Sequence, residues 1–213
     1  MIKIIVDSDD GFYRLGIHTL LSKIFLEQFN ENISLINGIN KKNVAQADVI
    51  IMGLLPGECF VCHPTLYARK KNSLLIGIYK GAQKSQFDDL PLCFGNIILI
   101  NRHESITRIA KKISYGWECC REEFLDFGPW SCQDCGHKTL SPQQVKVASH
   151  YFEGVSVQQI AQILSINSKT VFAHKRMIMS KFNVHTDYEL LSLLNVMKKL
   201  KNNAPDFLVN HME

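Results

Sequence analysis

Between Leu140 and Leu200 the sequence has the pattern of short amphipathic helices separated by tight turns. The clearest of these helices has apolar residues at the i, i+3, i+4 and i+7 positions expected for one buried face: Val157, Ile160, Ala161 and Leu164. A three-residue break, Ser165-Ile166-Asn167, follows it, and Ser168 is a favourable N-cap for the next helix. That helix is predicted to run to Phe182. Two short helices joined by such a turn form a helix-turn-helix.

The second helix of this pair is strongly basic. From Ser168 to Phe182 it has no acidic residue, and it carries Lys169, His174, Lys175, Arg176 and Lys181. Lys and Arg side chains neutralise phosphates and supply most of the non-specific affinity for DNA, so a helix surface of one sign is expected of a DNA-binding helix. A solvated helix of an ordinary domain could have the same composition. The charge alone therefore leaves both interpretations open.

The excess positive charge lies in this same segment. The whole chain has a net charge of +4. Residues 140–200 have seven Lys and Arg against three Asp and Glu, which gives +4, whereas residues 1–139 carry +1 and residues 201–213 carry −1. A basic segment of this kind favours a nucleic-acid partner, here double-stranded DNA.

Residues 140–200 resemble the C-terminal DNA-binding module of the LuxR/NarL (FixJ-type) family of bacterial transcription regulators. The matching positions are Leu140-Ser141-Pro142, Val147, Gly154, Ser156, Ile160-Ala161, Leu164, Ile166, Ser168, Lys169-Thr170-Val171, His174, Ile178, Lys181-Phe182 and Val184. One departure is Gln144, where the family usually has Glu. The resemblance implies four helices, predicted at residues 142–152, 157–164, 168–182 and 188–199, with the helix-turn-helix motif spanning Val157 to Arg176.

The same resemblance assigns roles to the second helix of the motif. It implies that Phe172, Ala173 and Arg176 face base edges, and that four residues lie near phosphates: Lys169, Thr170, His174 and Lys175. Arg can contact guanine O6 and N7, while apolar side chains contact only the thymine methyl group. For His174, a packed histidine at the base of the helix is the competing interpretation. In the family the last helix makes the dimer contact, which here predicts a homodimer or a heterodimer with a related regulator; burial in the domain core alone is the other interpretation of its apolar stripe.

The N-terminal part alternates apolar runs with helical stretches. Strands are predicted at residues 2–6, 33–36, 48–55, 73–79 and 96–100, with helices at 12–29 and 105–117. This alternation is typical of an α/β domain with a five-stranded parallel sheet and helices on both faces. We therefore divide the chain into an α/β domain at 1–117, a linker rich in Cys and aromatic residues at 118–139, an all-α helix-turn-helix domain at 140–200, and a tail at 201–213.

The stretch IIVDSDDGFYRLGIHTLL and the strand DVIIM resemble the receiver domain of two-component response regulators. A receiver needs an aspartate nucleophile at the end of the third strand, but this position is Gly53. The hydroxyl position aligns with Ile78 and the Lys position with Asn101. The acidic cluster, with Ser8 and Asp9 aligned to the acidic pair and Asp7 and Asp10 beside them, is either a solvated loop or a Mg²⁺ site. We predict a degenerate receiver that is not controlled by aspartyl phosphorylation.

Seven cysteines suggest thiols or metal ligands, because disulfides are rare in a reducing compartment. Cys132, Cys135 and Gly136 form a C-x-x-C-G turn similar to a zinc knuckle, which His137, or Cys119 with Cys120, could complete. Cys59 and Cys62 could instead fold back to join Cys132 and Cys135. A structural zinc, a redox-sensing thiol pair and unliganded cysteines all remain open. Cys59 to His63 also has the form of a c-type haem attachment site, which we discount because no export signal is present.

No apolar run in the sequence approaches the roughly 18 residues that span a membrane, so we expect a cytoplasmic protein with no membrane partner. No catalytic constellation is recognisable, and we expect no enzymatic activity. The predicted function is sequence-specific DNA binding in transcription regulation, with RNA polymerase as a further candidate partner. Two other interpretations stay open: an auxiliary subunit that acts on DNA only as a heterodimer, and a metal or redox sensor that uses its cysteines.

Overall fold

The computed structural model describes residues 1–8, 10–81, 90–122 and 135–203. These residues form two compact units. The first contains residues 1–54, 63–81, 92–122 and Cys135. The second contains 55–62, 90–91 and 136–203, and thus includes a short segment from the N-terminal half of the chain.

The first unit is built on a parallel sheet of five strands. The strands are β1 (Ile2–Asp7), β2 (Ile33–Ile36), β3 (Val49–Leu54), β4 (Leu74–Tyr79) and β5 (Ile97–Asn101). They lie in the order β2-β1-β3-β4-β5, and every pair is parallel. This is the order of a doubly wound α/β fold. All five predicted strands are confirmed, with bounds within one residue, because each is a run of β-branched and apolar residues long enough to cross the sheet.

Three α-helices belong to the described part of this unit: α1 (Gly11–Phe29), α2 (Lys41–Val44) and α3 (Ile106–Glu122). Short 3₁₀ turns follow β3 at Glu58–Phe60 and Pro64–Ala68, and another precedes β5 at Leu92–Phe94. Helix α1 begins after Asp10, whose carboxylate accepts hydrogen bonds from the amides of Phe12 and Tyr13 at 2.9 and 3.1 Å. The carboxylate of Asp10 is therefore used as a helix cap.

Helices α1 and α3 pack over one face of the sheet. Their contact is marked by Phe25 and Trp117, whose rings meet edge to face with centroids 5.2 Å apart. Both lie in a core that also contains Ile4, Ile51 and Ile76. Helix α3 continues to Glu122, five residues beyond its predicted end at Trp117, so the first five residues of the predicted linker are helical. The remaining aromatic residues of that linker, Phe124, Phe127 and Trp130, lie outside the described residues.

Gly116 permits the close approach of α3 to the sheet. A Cβ at this position would collide with Cδ1 of Ile98 and would lie 3.2 Å from Cδ1 of Leu74. The helix axis can therefore stay near β4 and β5 only because this residue has no side chain.

The second unit contains the four predicted helices: α4 (Pro142–Phe152), α5 (Val157–Ile163), α6 (Ser168–Lys181) and α7 (Asp187–Asn203). The bounds of α4 match the prediction. Helix α7 is longer than predicted at both ends, and α5 and α6 each end one residue earlier. The N-cap of α6 is Asn167, not Ser168, because the Asn167 side chain accepts the amide of Lys169 at 2.8 Å.

Capping boxes begin α4 and α5. In α4 the amide of Gln144 donates to Ser141 Oγ, and the amide of Ser141 donates to Gln144 Oε1 at 3.0 Å. Ser156 and Gln159 repeat this arrangement in α5. Gln144 is only 5% exposed. The amide of Gln144 thus completes the capping box without placing a carboxylate in the interior.

A segment at residues 55–62, which we call the β3 loop, is part of the second unit. At Gly57 the backbone has φ +80°, and an added Cβ would lie 2.9 Å from Cγ1 of Val184 and 3.0 Å from the carbonyl of Phe182. The backbone amide of Lys138 donates to the Phe60 carbonyl at 2.9 Å. The packing of this unit therefore includes residues far apart in sequence. None of the described helices is both long enough and apolar enough to cross a membrane.

Candidate DNA-binding interface

Helix α6 divides its residues between a buried and an exposed face. The inner face carries Val171 and Ile178, each 1% exposed, and the chain continues to the fully buried Phe182. These positions are separated by seven and four residues, which keeps them on one side of a helix. They hold α6 against α4 and α5, whose apolar contribution includes Val147 and Ile160.

The outer face of α6 carries five of the seven predicted DNA-binding residues. Lys169, Thr170, Phe172, Ala173 and Arg176 are all exposed. Phe172 keeps half of its surface in solvent, which is uncommon for a residue of its size in a helix that packs on two others. An exposed aromatic ring between basic side chains can contact thymine methyl groups while its neighbours contact phosphates and guanine.

Lys175 lies on the inner side of the helix. Its ammonium group is 2.7 Å from one carboxylate oxygen of Asp187 and 2.8 Å from the other, and 4.6 Å from the centroid of the Tyr151 ring. Its side chain is 13% exposed. The pairing lowers the pKa of Asp187. Burial alone would lower the pKa of Lys175, but its hydrogen bonds to Asp187 and Tyr151 raise it overall. The charge of Lys175 is thus paired within the domain, and its phosphate contact stays a prediction.

His174 is also turned partly inward. Its Nδ1 is buried and has no hydrogen-bond partner among the described residues. This position agrees better with a packed histidine at the base of the helix than with a residue that reaches phosphate. The strongest exposed charges of α6 are therefore Lys169, Arg176 and Lys181.

The turn before α6 fixes how its N-terminus is presented. Helix α5 ends at Ile163, and Ser165 has φ +53°, a left-handed conformation that reverses the chain within one residue. Asn167 then caps α6. The first turn of α6, which carries Lys169 and Thr170, therefore starts at a position fixed by this cap.

The positions that the sequence aligned with the phosphorylation site of a receiver are Gly53, Ile78 and Asn101. Gly53 lies exposed in β3, and a Cβ there would meet no atom within 4 Å. Its partner on the neighbouring strand β4 is Ile78, which is 8% exposed. Asn101 Nδ2 donates to the Gly81 carbonyl at 2.8 Å. Asp10 caps α1, Asp9 lies outside the described residues, and no three acidic donors of the described residues meet in a metal-binding group.

The cysteines fall into two groups. Cys62, Cys135 and His137 come together, with their donor atoms all within 4.8 Å of one another. Sequence reasoning named Cys135 and His137 as candidate ligands and gave Cys62 only as a competing arrangement. Cys132 lies outside the described residues, so its predicted part stays a prediction.

The other described cysteines have packing positions. Cys119 lies on α3 and is not in the group, and the thiol of Cys120 donates to the Ser73 carbonyl. Cys93 accepts the backbone amide of His63 at 3.3 Å. Cys59 is 2% exposed, and burial raises its pKa to about 11, so its thiol stays neutral near pH 7.

A packed helix pair with an exposed basic second helix defines the class of helix-turn-helix DNA-binding domains. Residues 138–194 match the family described as bacterial regulatory proteins, luxR family. Residues 138–194 are therefore a LuxR-type helix-turn-helix domain, and the predicted resemblance is confirmed for this part of the chain.

Two known proteins extend this comparison. Over 60 residues the chain is 38% identical to the transcriptional activator protein BglJ of Escherichia coli (strain K12), a match that covers 28% of this chain and 27% of that protein. The chain thus matches about a quarter of that relative's length. A structure of the two-component response regulator RcsB in complex with DNA covers 91% of this chain and 98% of its own, with a TM-score of 0.50 and 17% identity. That likeness confirms the fold, a five-stranded parallel sheet with helices followed by a helical domain.

Proposed function

We propose that this chain is a sequence-specific DNA-binding transcription regulator that recognises its operator through α6. The observation that carries the proposal is the exposed face of α6, with Lys169, Phe172 and Arg176 on one side of a LuxR-type domain. Arg176 supplies direct readout of guanine, Phe172 and Ala173 contact thymine methyl groups, and Lys169 and Thr170 anchor the helix to the phosphates.

The proposed regulator is not controlled by aspartyl phosphorylation. A receiver needs a nucleophile, a hydroxyl group and a lysine around the phosphoryl group, and the chain has Gly53, Ile78 and Asn101 at those positions. Glycine offers no atom that could attack phosphorus. The receiver-like unit then serves as a platform for interaction with another protein or a second copy of the chain.

The test is selection of binding sites from a random double-stranded DNA library with the purified full-length chain. A single enriched motif, bound at least about a thousandfold more tightly than unrelated DNA, is the expected result. The double variant Lys169→Ala/Arg176→Ala should retain the fold and lose the enrichment. Equal binding of all sequences by the wild-type chain would contradict the proposal.

Dimerisation through α7 forms part of the same proposal. Helix α7 leaves Tyr188 80% exposed and Leu191 37% exposed, while Leu190 and Leu193 are buried in the domain. A second copy of the chain or a related regulator would cover these exposed side chains. Light scattering should give the mass of a dimer at the concentrations used for DNA binding. Failure of the purified chain to bind DNA, with binding recovered on adding a related regulator, would instead favour an auxiliary heterodimer subunit.

A further inference from the structure

The three side chains Cys62, Cys135 and His137 are placed as ligands of a single ion. Their two sulfur atoms and one imidazole nitrogen all lie within 4.8 Å of one another, and all three residues are partly buried. In a tetrahedral zinc site, bond lengths of about 2.3 Å to sulfur and 2.0–2.1 Å to nitrogen separate the donors by roughly 3.5–3.8 Å. Small side-chain movements would therefore bring these donors to coordination distance.

The backbone around the three residues is fixed by contacts that need no metal. Lys138 donates its backbone amide to the Phe60 carbonyl at 2.9 Å, and its ammonium group lies 3.4 Å from the centroid of the Phe60 ring. These contacts hold the chain next to His137 against the β3 loop, two residues before Cys62. The backbone amide of Leu92 donates to the Cys135 sulfur at 3.3 Å, the kind of hydrogen bond that orients and stabilises a thiolate ligand.

The donor set selects the kind of ion. Two thiols and an imidazole, with no carboxylate in the group, suit zinc and do not suit Mg²⁺ or Ca²⁺, which take oxygen ligands. Binding would release the two thiol protons to solvent, since the thiolates are the ligands.

We propose that Cys62, Cys135 and His137 bind a structural zinc ion, which fastens the β3 loop to the chain segment that enters the helix-turn-helix domain. The β3 loop already contacts that domain, because Gly57 lies against Val184 and the Phe182 carbonyl. The ion would thus link Cys62, on a loop packed beside α6 and α7, to residues that directly precede α4. None of the three proposed ligands belongs to α6. Zinc binding and operator binding can therefore be tested separately, and failure of one leaves the other standing.

Metal content of the full-length chain, purified without added zinc or chelator, is the first readout. About one zinc per chain is expected, and cobalt substitution should give sulfur-to-cobalt charge-transfer bands together with the d–d bands of a tetrahedral complex. Cys62→Ser and Cys135→Ser should each weaken zinc binding, measured by competition with a chromophoric chelator, by at least about tenfold. Cys119→Ser is the matched control, a partly buried thiol outside the group, and should bind as the wild type does.

A second measurement uses the wild-type chain alone and does not depend on variants that fold. Bound zinc should slow alkylation of Cys62 and Cys135, mapped by mass spectrometry, and a chelator should remove that protection. No zinc after equilibration with one equivalent, or full binding by Cys62→Ser, would overturn the proposal. Zinc lost equally from Cys119→Ser would also overturn it, because the ion would then belong to another site.

A zinc site within the linker, which the C-x-x-C spacing predicts, is the competing arrangement. Cys132 stands three residues before Cys135 and lies outside the described residues, so Cys132→Ser is tested separately from the three residues proposed here. Loss in Cys132→Ser with full binding in Cys62→Ser would place the ion in the linker and overturn the assignment of Cys62.

Discussion

Arg176 and Lys169 lie on the same exposed face of α6, yet we expect different consequences when each is removed. Arg176→Ala should cost about 1–3 kcal/mol at the selected operator and relax the preference at one base pair, because a bidentate contact to guanine is lost. Lys169→Ala should weaken binding to all sequences and lower the slope of log affinity against log salt by about 1. Fluorescence anisotropy with matched and single-mismatch duplexes at several salt concentrations measures both effects. An unchanged salt slope in Lys169→Ala would remove the phosphate role.

The ion pair of Lys175 and Asp187 makes the stability of the C-terminal unit depend on pH at both extremes. The lowered pKa of Asp187 contributes stability that is present above its usual value of 3.8 and is lost as the pH falls through the lower folded value. The raised pKa of Lys175 contributes stability that is complete below its usual value of 10.5 and is lost as the pH rises through the folded value. Asp187→Asn should therefore lower the free energy of unfolding most at neutral pH.

The expected loss in Asp187→Asn is small, roughly 0.2–1 kcal/mol, because the Asp187 side chain is 62% exposed and solvent screens the pair. Urea midpoints measured from pH 3 to neutrality test it, with wild type and variant converging at the acid end. A variant that differs from wild type by the same amount at every pH would show that the pair does not titrate as described.

At the level of elements, a matched pair of glycines tests the contact between α3 and the sheet. Gly116→Ala should destabilise the first unit by about 1–3 kcal/mol, because the added methyl group collides with Ile98 under a packed helix. Gly16→Ala lies within α1 with nothing within 4 Å of the added carbon, and should stabilise by about 0.5–1 kcal/mol through helix propensity. Thermal unfolding of both variants provides the comparison. Equal changes of the unfolding temperature in Gly116→Ala and Gly16→Ala would mean that α3 can move away from the sheet at little cost in free energy.

The sequence predicted the elements better than their ends and contacts. Strands such as β3 and β4 were found within one residue because continuous apolar runs leave few other folds. Helix α3 was cut short at Trp117, since the polar residues that follow gave no sign that the helix continues to Glu122. Ser168 and Asn167 are both good caps, and only the backbone geometry distinguishes them.

In the candidate DNA-binding interface, helical periodicity predicts which residues of α6 face inward. Val171, Lys175, Ile178 and Phe182 share one side of α6, so the inward position of Lys175 was already present in the spacing. The proximity of Cys62 to His137 had no such signal, because 75 residues separate them and the β3 loop joins the second unit only through tertiary contacts. The two C-x-x-C pairs allowed an arrangement in which Cys59 and Cys62 join Cys132 and Cys135, but nothing in their spacing paired Cys62 with His137.

For the whole molecule, the missing phosphoacceptor predicts indifference to phosphoryl donors. Incubation of the full-length chain with acetyl phosphate or beryllofluoride and Mg²⁺ should leave its mass and its operator affinity unchanged, because Gly53 has no side chain to modify. Gly53→Asp should not restore the reaction, since Ile78 and Asn101 still lack the hydroxyl and the ammonium group that a receiver supplies. Intact-mass spectrometry, with a phosphorylatable response regulator as positive control, measures this. A stoichiometric acyl phosphate on the wild-type chain would contradict it.

The β3 loop has a consequence for how such a protein can be divided and how it can evolve. A fragment that begins at the linker would lack Gly57 and Phe60, and would leave uncovered the surfaces of Val184 and Lys138 that these residues contact. A single C-terminal fragment therefore does not contain every residue that packs in the helix-turn-helix unit. Recombination that exchanged the C-terminal half between related regulators would replace Lys138 and Val184 but not the β3 loop that they contact. Substitutions on the two sides of this contact are therefore expected to occur together in evolution.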